Sequence, residues 1–134
     1  MVDETLRVKT VVLIVEDDKF LSTLLSEKLQ REGIFVVSAE NGEEALIKMK
    51  ADPQPQVILL DLLLPIVDGF EVLRRMREDQ ELKRIPVLVL SNLGQESDIK
   101  RAKDLGAVDY MVKAYFTPGE IVDKVRRIIR EEYV

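Results

Sequence analysis

The sequence predicts an α/β protein, a doubly wound sheet of five parallel strands with a helix following each. Three observations carry that expectation. Val11–Val15, Val57–Leu60 and Val87–Leu90 are unbroken apolar runs, as strands buried on both faces of a parallel sheet require. Between such runs, apolar residues recur at helical spacing. The two kinds of segment alternate along the chain, which implies right-handed βαβ crossovers and helices on both sheet faces.

Residues 1–9 are mixed and polar and read as a lead-in, leaving residues 10–134 as one domain. The strand Val11–Val15 stops at the acidic triplet Glu16-Asp17-Asp18. From Lys19 to Glu32 the positions Phe20, Leu21, Leu24, Leu25 and Leu29 predict an amphipathic helix, closed by Gly33. Ile34 to Val37 is a short strand, and Asn41-Gly42 leads into a helix over Glu43 to Lys50 with Ala45, Leu46 and Met49 on one face. A Pro-interrupted loop, residues 51–55, feeds Val57–Leu60, and Asp61, three leucines, Pro65 and Asp68-Gly69 follow as loop and turn. Phe70, Leu73 and Met76 mark the third helix. The strand Val87–Leu90 ends at Ser91-Asn92, and a weakly apolar helix runs from Gln95 to Leu105 before Gly106. Asp109–Val112 is the fifth strand, ending at Lys113. Pro118 opens a last helix that buries Ile121, Val122, Val125, Ile128 and Ile129.

Composition narrows the chemistry. The 134 residues are 46% hydrophobic and 34% charged, enough for a real core without cross-links. A net charge of -5 argues against direct nucleic-acid binding by this domain. There is no Cys and no His, which removes disulfides, thiolate nucleophiles, the usual zinc ligands and the commonest acid–base group. No apolar run reaches membrane-spanning length and the start Met1-Val2-Asp3-Glu4 is acidic, so a cytoplasmic location with no membrane partner is expected.

Four strands end in a residue able to do chemistry: Glu16-Asp17, Asp61, Ser91 and Lys113. Parallel strands place their C-termini along one edge, so these residues converge on one site. Clustered carboxylates repel unless a cation sits among them, and an all-oxygen donor set suits Mg²⁺. Lys113 and the Ser91 hydroxyl can hold phosphoryl oxygens, with a carboxylate as nucleophile toward phosphorus. Taken singly, each has a plainer structural role. Asp18 reads best as a helix cap, Ser91 can be a cap, Lys113 a solvated charge and Tyr110 a core aromatic.

From about Val11 to about Arg130 the chain resembles the receiver domain of two-component response regulators. The resemblance rests on Glu16-Asp17, Leu59-Leu60-Asp61 with Pro65 and Asp68-Gly69, Ser91, Gly106-Ala107, and Asp109-Tyr110 with Lys113. It implies a flavodoxin-like sheet in the order 2-1-3-4-5. It also implies a phosphoacceptor at Asp61, charged by a sensor histidine kinase or phosphotransfer protein in a Mg²⁺-dependent reaction. Asp17 would bind the metal directly, Glu16 mostly through water, and the Leu63 backbone carbonyl would complete the ligands. The strand stops just before Glu16, which favours Glu16-Asp17 over Asp17-Asp18 as the pair. Ser91 and Lys113 would bind phosphoryl oxygens, and Ser91 and Tyr110 would form the switch. The output face would be the fourth helix, fifth strand and fifth helix, whose charges can support a homodimer. The only catalysis implied is of the protein's own phosphorylation and dephosphorylation.

Two positions depart from the family pattern, and two more bear on how long a phosphate would last. Ala114 stands where the family usually has Pro after the lysine, which leaves both a cis and a trans Lys113–Ala114 bond open. Asn92 replaces a small residue. Leu63 and Leu93, two residues beyond Asp61 and Ser91, cannot orient water by hydrogen bonding, so a comparatively long-lived aspartyl phosphate is expected. Two other functions compete. A hydrolase of small phosphorylated substrates would want a second carboxylate where Leu63 stands. A phosphorylation-independent receiver acting as a protein-binding module would be favoured by Ala114 and Asn92. Both a stand-alone regulator and a piece of a longer protein fit the sequence.

Overall fold

The computed structural model describes residues 10–132; the expected lead-in over residues 1–9 lies outside the described residues, as do residues 133 and 134. Five parallel strands, β1 (Val11–Val15), β2 (Phe35–Ala39), β3 (Val57–Leu60), β4 (Val87–Ser91) and β5 (Asp109–Val112), form one sheet in the order β2-β1-β3-β4-β5. The helices are α1 (Lys19–Arg31), α2 (Gly42–Lys50), α3 (Gly69–Arg77), α4 (Glu96–Asp104) and α5 (Pro118–Glu132).

Successive residues of a strand point to opposite sheet faces, and here both faces are covered. Leu13, Val15, Ile58, Leu60, Val87 and Val89 pack on one side with Ala45 and Met49 of α2, Phe70 and Leu73 of α3, and Ala102 of α4. Val12, Ile14, Leu59, Leu88, Leu90 and Met111 pack on the other with Leu25 and Leu29 of α1 and Ile121, Val125 and Ile128 of α5. β1, β3 and β4 are therefore buried at every position, as their unbroken apolar runs require.

Helix boundaries follow local capping. The Asp18 carboxylate accepts from the Phe20 and Leu21 N–H groups, Asn41 from Glu44 N–H and Asp68 from Glu71 N–H. Gly33, at φ 79, ends the α1 turn in the left-handed region.

The structure differs from the sequence expectations at several places. β2 runs from Phe35 to Ala39, not Ile34 to Val37, because its register is set by β1, with Val11 opposite Phe35 and Val15 opposite Ala39. Phe20 was expected on the buried face of α1 but is 80% exposed, since it lies in the first turn, before the helix passes over the sheet. Two short 3-10 turns, Leu82–Arg84 and Lys113–Tyr115, had no helical periodicity to announce them.

The loop from Asp61 to Asp68 is tightly tied down. Leu62 and Leu64 are buried while Leu63 between them is exposed, and Gly69 N–H returns to the Leu62 carbonyl at 3.0 Å. A Cβ on Gly69 would lie 2.4 Å from the Asp61 carbonyl oxygen, and one on Gly42 would lie 2.0 Å from that of Val67. Both glycines are there because backbone passes where a side chain would sit. Ile66 occupies φ 70, a conformation a β-branched residue adopts only under strain. Gly69→Ala is accordingly expected to destabilise the fold by about 1–3 kcal/mol through overpacking. Ile66→Asn, which accepts that backbone region, is expected to stabilise it by about 1 kcal/mol. Urea melts of the two variants beside wild type check both signs.

Candidate functional site

The sheet hydrogen bonding runs past the strand ends into the site residues. Glu16 N–H donates to the Ala39 carbonyl and Asp61 N–H to the Val15 carbonyl, each at 3.0 Å. Ser91 is still in register with Val112 of β5, and Lys113 follows at once. The backbones of Glu16, Asp61, Ser91 and Lys113 thus share the rigidity of the core.

Their side chains meet. Glu16 and Asp61 are only 3% and 4% exposed, Ser91 is fully buried, and Asp17 is exposed. Lys113 Nζ lies 2.8 Å from Asp61 Oδ2 and 2.6 Å from Glu16 Oε1. Asp61 Oδ1 accepts from Leu63 N–H at 3.1 Å, and Glu16 Oε2 from Asp18 N–H at 3.1 Å. Ser91 Oγ accepts a long bond from Leu93 N–H at 3.4 Å, which leaves its own proton free to donate. The Tyr110 ring is partly buried against the core on the α2–α4 side, and its hydroxyl donates to the Leu93 carbonyl at 2.5 Å. All seven sequence-named positions (Glu16, Asp17, Asp61, Leu63, Ser91, Tyr110 and Lys113) therefore lie at the C-terminal edge of the sheet.

Sequence reasoning missed the backbone donors, the N–H groups of Leu63 and Asp18, because every residue carries one and only the folded path aims it. It also missed the bond joining Tyr110 to Leu93, whose side chain had suggested only a water-repelling role. The peptide left open after Lys113 is trans, since the one cis bond among the described residues is Asp52–Pro53. With Ala114 in place of proline, the chain turns through Lys113–Tyr115 and still delivers the ammonium to Asp61.

Glu16, Asp17 and Asp61 can each offer an oxygen such that all three lie within 4.8 Å of one another. Three carboxylates against one ammonium leave excess negative charge, and the donors are all hard oxygens. That set fits Mg²⁺ or a similar cation. The electrostatic strain shows in the side chains themselves. Burial pushes the Glu16 carboxyl up, with Lys113 and the Asp18 N–H pulling back and the Asp61 charge adding to the rise. Burial alone would lower the Lys113 ammonium, but its bonds to Asp61 and Glu16 outweigh that and hold it above the usual lysine value. The Tyr110 phenol is raised, first by burial and then by the charges of Asp98 and Asp61.

A lysine pKa raised by folding stabilises the fold fully below the unfolded value of 10.5 and loses that stabilisation as pH rises through the folded value. Lys113→Met leaves two buried carboxylates facing each other and is expected to cost roughly 3–5 kcal/mol near neutral pH without added metal. In urea melts the wild-type advantage should shrink as the pH climbs above that of an ordinary lysine. An advantage that stays constant across that range would remove Lys113 as the charge that holds the site together.

A family model described as the response regulator receiver domain matches residues 12–126. The alkaline phosphatase synthesis transcriptional regulatory protein PhoP of Bacillus subtilis (strain 168) is 37% identical over 123 residues, covering 92% of this chain and 50% of PhoP. Among solved structures, the phosphorylated cyanobacterial phytochrome response regulator RcpA superposes with a TM-score of 0.77 at 34% identity, covering 90% of this chain and 91% of RcpA. The Mn(2+)-bound form of response regulator Rcp1 gives 0.76 at 32% identity, covering 89% of this chain and 91% of Rcp1. The chain spans about half the length of the curated relatives it matches. No described helix is long and apolar enough to cross a membrane. A receiver model matched over most of the chain, on a five-stranded sheet in the order 2-1-3-4-5 with an acidic pocket at its C-terminal edge, makes this protein a member of the response regulator receiver domain family of two-component signalling.

Proposed function

We propose that residues 10–134 form one receiver domain that accepts a phosphoryl group on Asp61 from a sensor histidine kinase or phosphotransfer protein. The observation that carries this reading is the Lys113 ammonium on Asp61 Oδ2, beside the oxygens of Glu16 and Asp17. A carboxylate oxygen of Asp61 attacks phosphorus, the new O–P bond forms, and the P–N bond to the donor imidazole breaks. The electron pair leaves with the imidazole nitrogen, which takes up a proton. Mg²⁺ supplies charge neutralisation for the carboxylates and the incoming phosphoryl oxygens. Asp17 and Asp61 would hold it directly, Glu16 through water, and Leu63 through its carbonyl. A Mn(2+)-bound neighbour supports a divalent cation here.

Lys113 is positioned to follow a phosphoryl oxygen, and the Ser91 hydroxyl to donate to another. Were Ser91 to turn toward a phosphoryl group, the Leu93 N–H would lose its acceptor, and Leu93 is also the residue that Tyr110 holds. That chain couples the phosphorylation state to β5 and α4, and so to an α4–β5–α5 output face that can serve homodimerisation. The domain catalyses nothing beyond its own phosphorylation and dephosphorylation, does not itself bind nucleic acid and works in the cytoplasm.

The direct test is intact mass spectrometry after incubation with Mg²⁺ and acetyl phosphate, beside Asp61→Ala. A gain of one phosphoryl group is expected, dependent on Mg²⁺ and absent in the variant; no gain in wild type would point to the phosphorylation-independent binding module. A second measurement addresses lifetime. Leu63 is 53% exposed beside Asp61 and Leu93 is partly buried beside Ser91, and neither can orient a water molecule. The phosphate should decay slowly, and Leu63→Asn should speed decay several-fold. Rapid decay unchanged by that substitution would exclude the apolar pair as its cause.

A further inference from the structure

Helix α4 is the most lightly anchored of the five. The Asp18, Asn41 and Asp68 side chains cap α1, α2 and α3, and Thr117 Oγ1 accepts from Glu120 N–H at the start of α5. No side chain caps α4 at Gln95. α4 also buries one residue, Ala102, against five for α3. Between α3 and α4 runs a groove of about 460 Å³, walled by Glu71, Arg74, Lys100 and Leu105, so the two helices are incompletely packed. Arg101 crosses it: its guanidinium lies over the Phe70 ring, 4.0 Å from the centroid.

The carboxylates along the groove are engaged by other groups: Glu71 with Arg74 at 2.6 Å, Asp104 with Lys100 at 2.7 Å and Asp68 with the Glu71 N–H. Among the described residues Arg101 forms no ion pair, so the ring is its partner. Phe70 is not free to follow α4. It is 9% exposed and second in α3, directly after Gly69, whose N–H donates to the Leu62 carbonyl at 3.0 Å. Gly69 lies so close to Asp61 that a Cβ there would come 2.4 Å from the Asp61 carbonyl oxygen. The ring is therefore fixed relative to Asp61, and Arg101 ties α4 to it.

We propose that the Arg101–Phe70 contact is a clasp that holds α4 in its resting position and so opposes switching; this rests on the receiver reading given above. In this structure the Ser91 hydroxyl accepts from Leu93 N–H, the bond a phosphoryl group would draw away, and the clasp is closed in that same arrangement. A displacement of α4 that follows Leu93 and Tyr110 carries Arg101 off the ring, because Phe70 stays with Asp61. A cation over an aromatic face near the surface is a weak contact, which suits the role: it biases an equilibrium without freezing it. The clasp reaches α4 by a route separate from Ser91 and Tyr110.

The test compares Arg101→Gln with wild type. With Mg²⁺ and sub-saturating acetyl phosphate, the variant is expected to take up the phosphoryl group roughly two- to fivefold faster by intact mass, since more of the population already has α4 released. Amide hydrogen exchange in α4 without phosphodonor should quicken by a similar factor while β3 is unchanged. Arg101→Lys, which keeps a cation within reach of the ring, should stay within about twofold of wild type. Lys100→Gln, an equal loss of charge one residue away, should match wild type. Phe70→Leu should act as Arg101→Gln does, and the two together should add nothing to either alone. Thermal melts show whether Phe70→Leu folds, and Arg101→Gln decides the case if it does not. Uptake or exchange unchanged in Arg101→Gln, the same change in Lys100→Gln, or full additivity with a folded Phe70→Leu overturns the clasp and leaves the receiver reading intact. Wild type that takes up no phosphoryl group overturns that reading and the clasp with it.

Discussion

The structure depends on one ammonium placed between two buried carboxylates. Glu16 ends β1, Asp61 ends β3 and Lys113 follows β5, so the Lys113 pair of contacts ties together strands from the centre and one side of the sheet. Without it, two carboxylates that are almost wholly out of water would face each other, which costs several kcal/mol per uncompensated charge. With it, the cluster is held but still carries excess negative charge. That residual imbalance is set by the fold, and an all-oxygen donor set with excess negative charge fits a hard cation.

The precision of the pocket comes from its surroundings. The ladder of the sheet passes through Glu16 and Asp61, and the loop after Asp61 is pinned by buried Leu62 and Leu64 and by the close approach of Gly69. The opposite side of the pocket is held less firmly. Ser91 is tied to Leu93 by one long hydrogen bond, and Leu93 in turn to Tyr110. Beyond them α4 has a single buried residue, Ala102, and the Arg101 guanidinium stacked 4.0 Å from the Phe70 ring joins it to α3. A rigid acidic pocket beside a lightly anchored helix is the arrangement the proposed switch needs, because a small change in the pocket can then shift a pre-existing equilibrium.

The C-terminal edge of the sheet gathers Glu16, Asp17 and Asp61 around Lys113, while Arg77, Lys83 and Arg84 lie about a surface depression near the start of β4. Helix α3 and strand β4 run between the two, with α3 starting against the Asp61 carbonyl and β4 ending at Ser91.

Much was legible in the chain alone. Unbroken apolar runs identified β1, β3 and β4 because burial on both faces leaves no polar position, and helical spacing identified the faces of α2, α3 and α5. The site residues were legible for a related reason, since a parallel sheet delivers every strand end to one edge whatever the intervening sequence. Other features were not. The extent of β2 depends on its neighbour's register, and the exposure of Phe20 on where α1 meets the sheet. The trans path through Ala114, the backbone donors to Glu16 and Asp61, and the packing of Arg77 across Gly106 depend on how the folded chain runs. Periodicity reports which side of an element is buried. Only the tertiary structure decides what that side and its edges meet, because those distances depend on every crossover between them.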